Sequence, residues 1–162
     1  MGLDCYVFKI DQSKPAALKA AGLMKDIKYN MLLSEDDLEK VFQWRKHWDL
    51  HKFFESEYDN HYPKKEYNNP DDPWETSYFN SGQYVRIDQD LLQRLESDIG
   101  YEWDEEEDKY VRLHTDVDLD FGPVKTFDYD DSWLTPDRDM EFVETAQRLL
   151  YEGHTLFYTS WW

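Results

Sequence analysis

The pattern of apolar and polar positions changes period several times along the chain. Residues 3–9, LDCYVFK, set Leu3, Cys5 and Val7 against Asp4, Tyr6 and Phe8 at period 2. Alternating β-formers predict a strand, and aromatics on its second face predict an interior one. SEDDLEKVFQWRKHWDLHKFFES opens on a serine N-cap, puts acids in its first turn and contains neither glycine nor proline. It predicts one continuous helix over 34–56. QYVRI reads as a strand entering a helix over 88–99, with Leu91, Leu92 and Leu95 on one face and Gly100 as its stop. Val111, Leu113, Thr115, Val117, Leu119 and Phe121 alternate most cleanly of all. They predict a strand over 111–121 that shares a sheet with 3–9. Thr135-Pro136 supplies an N-cap and a first-turn proline for a helix to about Tyr151, stopped by Gly153. TLFYTSWW reads as a short β-like segment.

The intervals are less regular. AALKAAGLMK after Pro15 predicts a short helix that Gly22 weakens. Residues 58–83 hold Asn68-Asn69-Pro70, Asp71-Asp72-Pro73 and Ser81-Gly82, a long polar loop with a short strand near WETSYF. EWDEEEDK is an acid run expected to be a solvated turn. The order is β, α, loop, β, α, β, α, β, with no repeat, no linker and no glycine-rich βαβ turn. That predicts an α+β fold, a single domain over 1–162, with helices packed on a largely antiparallel sheet.

Composition narrows the picture. A length of 162 residues suits one domain with a real core. The single cysteine excludes an internal disulfide and fits a reducing compartment. Cys5 in an apolar alternation reads as a buried, inert thiol. No run approaches the ~18–20 apolar residues of a membrane span, and no charged-then-apolar leader is visible. The expectation is a cytoplasmic chain with no membrane partner. With 36 acidic residues against 18 basic ones, the net charge of −18 argues against direct nucleic-acid binding. It leaves solubility, or imitation of a nucleic-acid backbone that occupies a basic partner. An aromatic content of 17% argues against a disordered acidic tail.

Against that charge, QWRKHWDLHKFF collects Arg45, Lys46, Lys52, His47 and His51 among aromatics. On a helical wheel of about 100° per residue, Leu38, Val41, Phe42, Trp44, Trp48 and Phe53 share one sector. Arg45 and Asp49 fall inside it and His51 at its edge. Two readings stand. Arg45 and Asp49 form an i,i+4 ion pair, the arginine stem covering apolar surface. Alternatively, Arg45 and His51 face a cavity floored by Trp44 or Trp48, where a guanidinium holds phosphate or carboxylate bidentately and an indole stacks a planar ring. No nucleophile is tied to His51 by spacing, so no catalytic residue is assigned and the reading leans away from an enzyme.

MGLDCYVFK, WRKHWDLHKFF and YTSWW, as an ordered set, resemble small proteins encoded by bacteriophages and prophages. Those begin MGLDMY, carry a WRKxNxIHxWF-like helix and end in an aromatic strand with Ser-Trp. The resemblance implies viral origin and action in a bacterial cytoplasm rather than a particular chemistry. It singles out Trp44, Arg45, Lys46, His51, Ser160 and Trp161 as motif positions. Cys5 replaces the family's usual Met, and Trp48 its common Asn.

His114, Asp116, Asp118 and Asp120 line the polar side of the 111–121 alternation. Their spacing fits no EF-hand, and alternate strand residues lie roughly 6.5–7 Å apart, wide for one cation. A solvated strand face is the simpler reading. His154, just past a helix end, reads as a C-terminal cap. No phosphate loop, CxxC, HExxH or nucleophile elbow occurs, and no cofactor or metal is implied. The leading expectation is a binding protein that captures a small anionic, nucleotide-type ligand in counter-defence, through Trp44, Arg45, Lys46, Trp48, His51, Ser160 and Trp161. The alternative is an acidic interaction protein, or nucleic-acid mimic, that docks on a basic host protein through runs at 102–108 and 116–131. A metal-dependent hydrolase resting on His114 comes third.

Overall fold

β1 (Asp4–Ile10) forms where the period-2 alternation predicts it. It is an interior strand of a four-stranded antiparallel sheet, ordered β2-β1-β6-β3, with β2 at Leu38–Arg45, β3 at Val85–Ile87 and β6 at Leu156–Trp161. The computed structural model describes residues 2–10, 13, 36, 38–61, 84–112, 127–129 and 133–161. The architecture is α+β. Among the described residues, α1 (Trp48–His61), α2 (Gln89–Ile99) and α3 (Pro136–Tyr151) accompany this sheet and a two-stranded ribbon of β4 (Tyr101–Asp104) and β5 (Lys109–Arg112). They fall into two compact units, residues 1–87 with 153–162, and residues 88–152.

In the first unit, strand register determines which side chains share a face. Cys5 lies opposite both Trp44 and Ser160, and Val7 opposite both Phe42 and Tyr158. Directly opposed residues project to the same side. The inner face therefore carries Cys5, Val7, Trp44, Tyr158 and Ser160, all buried. α1 covers this face with Leu50, Phe54 and Tyr58, spaced i, i+4, i+8. Phe54 stacks flat on Tyr158, centroids 3.9 Å apart and planes 9° from parallel. β6, expected to be a short β-like segment, lies between β1 and β3 and is buried from Leu156 to Ser160.

The expected helix over 34–56 is corrected. Residues 38–45 are strand β2, and helix α1 starts only at Trp48. Phe42 and Trp44 alternate with Gln43 and Arg45, a strand period that pairing with β1 realises. The register shifts between Val7 and Phe8, so that Phe42 and Lys40 take consecutive partners and Val41 is the extra residue of a bulge. Strand passes to helix without glycine. Lys46 takes the left-handed conformation at φ 56, and its N–H donates to Leu3 O at 2.6 Å. A non-glycine residue there costs roughly 1–2 kcal/mol. His47 then caps α1: Leu50 N–H donates to its Nδ1 at 3.4 Å, and His51 N–H to its carbonyl at 3.0 Å. Arg45 and Asp49 thus do not share a helix face, and the i,i+4 geometry expected for them does not form.

The second unit follows its signals closely. Asp88 accepts from Leu91 N–H at 2.8 Å, and Gly100 closes α2 at φ 69. Thr135 caps α3, whose buried Met140, Phe142, Val143, Ala146 and Leu149 form the apolar side of a helix that packs with α2. Asp139, also buried, accepts from the Tyr129 hydroxyl at 2.7 Å. The acid run is a hairpin turn in which Asp104 Oδ1 accepts from Glu106 and Glu107 N–H groups. Val111 and Arg112 pair with β4 and not with β1, so the described part of the predicted 111–121 strand belongs to the ribbon. The rest of that strand, with His114, Asp116, Asp118 and Asp120, lies outside the described residues, as do the helix after Pro15 and the WETSYF strand.

Candidate functional site at one end of the four-stranded sheet

Strand alternation divides the residues singled out from sequence between two faces. Trp44 and Ser160 lie on the inner face, and His51 of α1 reaches that face at Tyr158. Arg45 and Trp161 project from the outer face, Lys46 sits in the turn, and Trp48 opens the helix.

The inner group is a sealed polar core. His51 is 2% exposed, and its Nδ1 lies 3.3 Å from the Tyr158 hydroxyl. Burial pushes the imidazole down from 6.5 to about 4, so it is neutral at neutral pH. Tyr158 is pushed well above the ordinary phenol value, first by burial, then by the Cys5 thiol and a hydrogen bond to it, with Glu55 adding. Cys5 Sγ donates to the His47 carbonyl at 4.0 Å. The Ser160 hydroxyl is buried with no hydrogen-bond partner among the described residues. Trp44 meets the Phe42 ring at 4.6 Å and the His47 ring at 6.5 Å, and Trp48 meets His51 edge-on at 6.5 Å. A neutral imidazole and a neutral phenol bring no net charge to this buried core.

The outer face differs. Asp4 lies opposite Arg45 on one side and Trp161 on the other, a single row across β2, β1 and β6. Arg45 and Lys46 are exposed, and Trp161 is 53% exposed. A Cβ built on Gly2 comes within 3.6 Å of Lys46 Cε, 3.8 Å of Arg45 Nε and 3.9 Å of Arg45 Nη2. Both cationic side chains therefore gather beside Gly2. Neighbouring strands lie about 4.8 Å apart, so the backbones of Arg45 and Trp161 are separated by about 10 Å. One row along are Gln43, Tyr6 and Thr159. Lys40 Nζ stands 6.0 Å from the Tyr6 ring centre and donates to Gln43 Oε1 at 2.9 Å.

Gly2, Asp4, Tyr6 and Lys40 were not singled out from sequence. Period 2 from Asp4 already places Tyr6 on the Asp4 side of β1. Lys40 escapes the alternation because of the bulge. Among the described residues, no group of three or more His, Cys, Asp or Glu side chains is placed to hold a metal. None of the described helices is long and apolar enough to cross a membrane. No protein-family model, curated protein or solved structure matches the chain.

Proposed function

We propose that this is a phage-encoded protein that binds a small anionic, ring-bearing ligand of nucleotide type and sequesters it in the bacterial cytoplasm. The phage origin rests on the three resembling motifs. The ligand class rests on one observation: Arg45 and Lys46 gather beside Gly2 at the end of a sheet whose same-face row ends in exposed Trp161. In this reading the two cations hold phosphate and the indole stacks the ring. Asp4, between them, accepts from sugar hydroxyls and keeps phosphate at the cationic end. The net charge of −18 does not forbid this, because charges beyond about 8 Å are largely screened at physiological ionic strength. Sequestration requires no catalytic group.

A thermal-shift screen against nucleoside mono-, di- and triphosphates tests the proposal. A ligand at 100 times its dissociation constant adds ~2.7 kcal/mol. Arg45→Ala is expected to remove that gain while leaving the ligand-free melting temperature unchanged. No stabilisation by any nucleotide refutes it. One feature favours the acidic-interaction reading: the acid run 102–108 forms a hairpin with Trp103 48% exposed. A basic protein partner lost on Trp103→Ala, together with a negative nucleotide screen, would support that reading instead.

A further inference from the structure

We infer that the ligand carries two nucleotide units, the second seated on Tyr6 and Gln43, one row along the outer face from Asp4 and Arg45, and on Lys40, which lies opposite Phe8 in the row beyond. This deepens the proposed function and depends on it.

Lys9 pairs with Glu39, and Lys109 with Glu107. Lys40, Arg45 and Lys46 are exposed cations that take part in neither, in a chain with twice as many acids as bases. The acid next to Lys40, Glu39, pairs instead with Lys9, 3.4 Å away. What Lys40 does contact is neutral: the Gln43 amide oxygen and the Tyr6 ring. An ammonium held by neutral groups keeps its full charge for an anion.

Tyr6 supplies the ring platform. It is half-buried and stacks with Phe8, centroids 5.9 Å apart and planes 26° from parallel, which fixes its orientation. Two residues along a strand advance about 7 Å. The face thus offers two stations of the same kind, each an aromatic ring with a cation: Trp161 with Arg45 and Lys46, then Tyr6 with Lys40. Gln43 lies between Arg45 and Lys40 on the same face of β2.

The platform is also bounded. On β6 its neighbours Thr159 and Phe157 are 3% and 0% exposed, so the face is closed on that side. A longer strand would meet that closure.

The test compares a 5′-mononucleotide, the corresponding linear dinucleotide and a ten-residue oligonucleotide, titrated onto the full chain at one salt concentration. The dinucleotide is expected to bind roughly tenfold more tightly than the mononucleotide, the gain of one charge-assisted contact. Lys40→Gln should erase that advantage, leave mononucleotide affinity unchanged and preserve the melting temperature. Arg45→Ala should weaken both. Equal affinity for the mono- and dinucleotide, or equal weakening of both by Lys40→Gln, overturns the second station while leaving the proposed function in place. Tighter binding of the oligonucleotide than of the dinucleotide overturns the bounded platform. Binding of none of the three overturns the proposed function as well.

Discussion

Acidification should destabilise this protein through His51. The imidazole is 2% exposed, lies 3.3 Å from the Tyr158 hydroxyl and has its pKa pushed down from 6.5 to about 4 by burial. The other titratable groups packed around this core are Cys5, His47 and Tyr158, with Glu55 acting on Tyr158 and Glu57 buried in the same helix. Because the folded-state value is the lower one, the unfolded chain binds the proton more readily. The stability contributed by neutral His51 is complete above 6.5 and is lost as pH falls toward 4. Between pH 7 and pH 5 the loss attributable to this group is about 2 kcal/mol. Urea unfolding of wild type and His51→Gln at both pH values isolates it, since the many carboxylates are common to both proteins. Wild type should lose about 2 kcal/mol more than the variant over that interval. Parallel losses would show that His51 accepts a proton without unfolding and would refute the sealed-core assignment.

Three further outcomes test the packing. Phe54→Ala removes the ring stacked on Tyr158 and should cost about 3–5 kcal/mol in urea unfolding, with the midpoint falling and the slope unchanged. Lys46→Gly relieves the left-handed turn at φ 56 and should raise stability by about 0.5–1 kcal/mol while weakening nucleotide binding, read by thermal melting with and without ligand. The Cys5 thiol is fully buried and should react with a thiol reagent only after denaturant is added; rapid native labelling would place β1 at the surface.

Much of the fold was legible wherever local chemistry and tertiary structure agree. Asp88, Gly100 and Thr135 mark helix ends by satisfying particular backbone groups, and Pro136 marks one by carrying no N–H that needs a partner. The segment 38–61 was not legible because its punctuation is missing. A strand-to-helix turn ordinarily announces itself with glycine or asparagine, and this chain uses Lys46 held by a backbone hydrogen bond to Leu3. Without that break, the absence of glycine and proline reads as one helix. Arg45 and His51, neighbours on the expected wheel, lie instead on the outer sheet face and in the core. The same alternation separates Trp44 from Arg45 and Ser160 from Trp161, pairs adjacent in sequence. That separation follows from period 2 once both segments are strands. The pairing of Asp4 with both Arg45 and Trp161 depends on register between distant strands, which no local pattern encodes.

Nitrogen-15 spectra of the full chain, titrated with a nucleotide, follow both sheet faces at once through side-chain N–H groups. The Trp161 indole and the Arg45 guanidinium Nε–H should shift together and saturate at one dissociation constant. The Trp44 indole, on the inner face, should stay in place. Shifts confined to Trp103, or a Trp44 shift without Arg45, would contradict a binding site at the Arg45–Asp4–Trp161 end of the sheet.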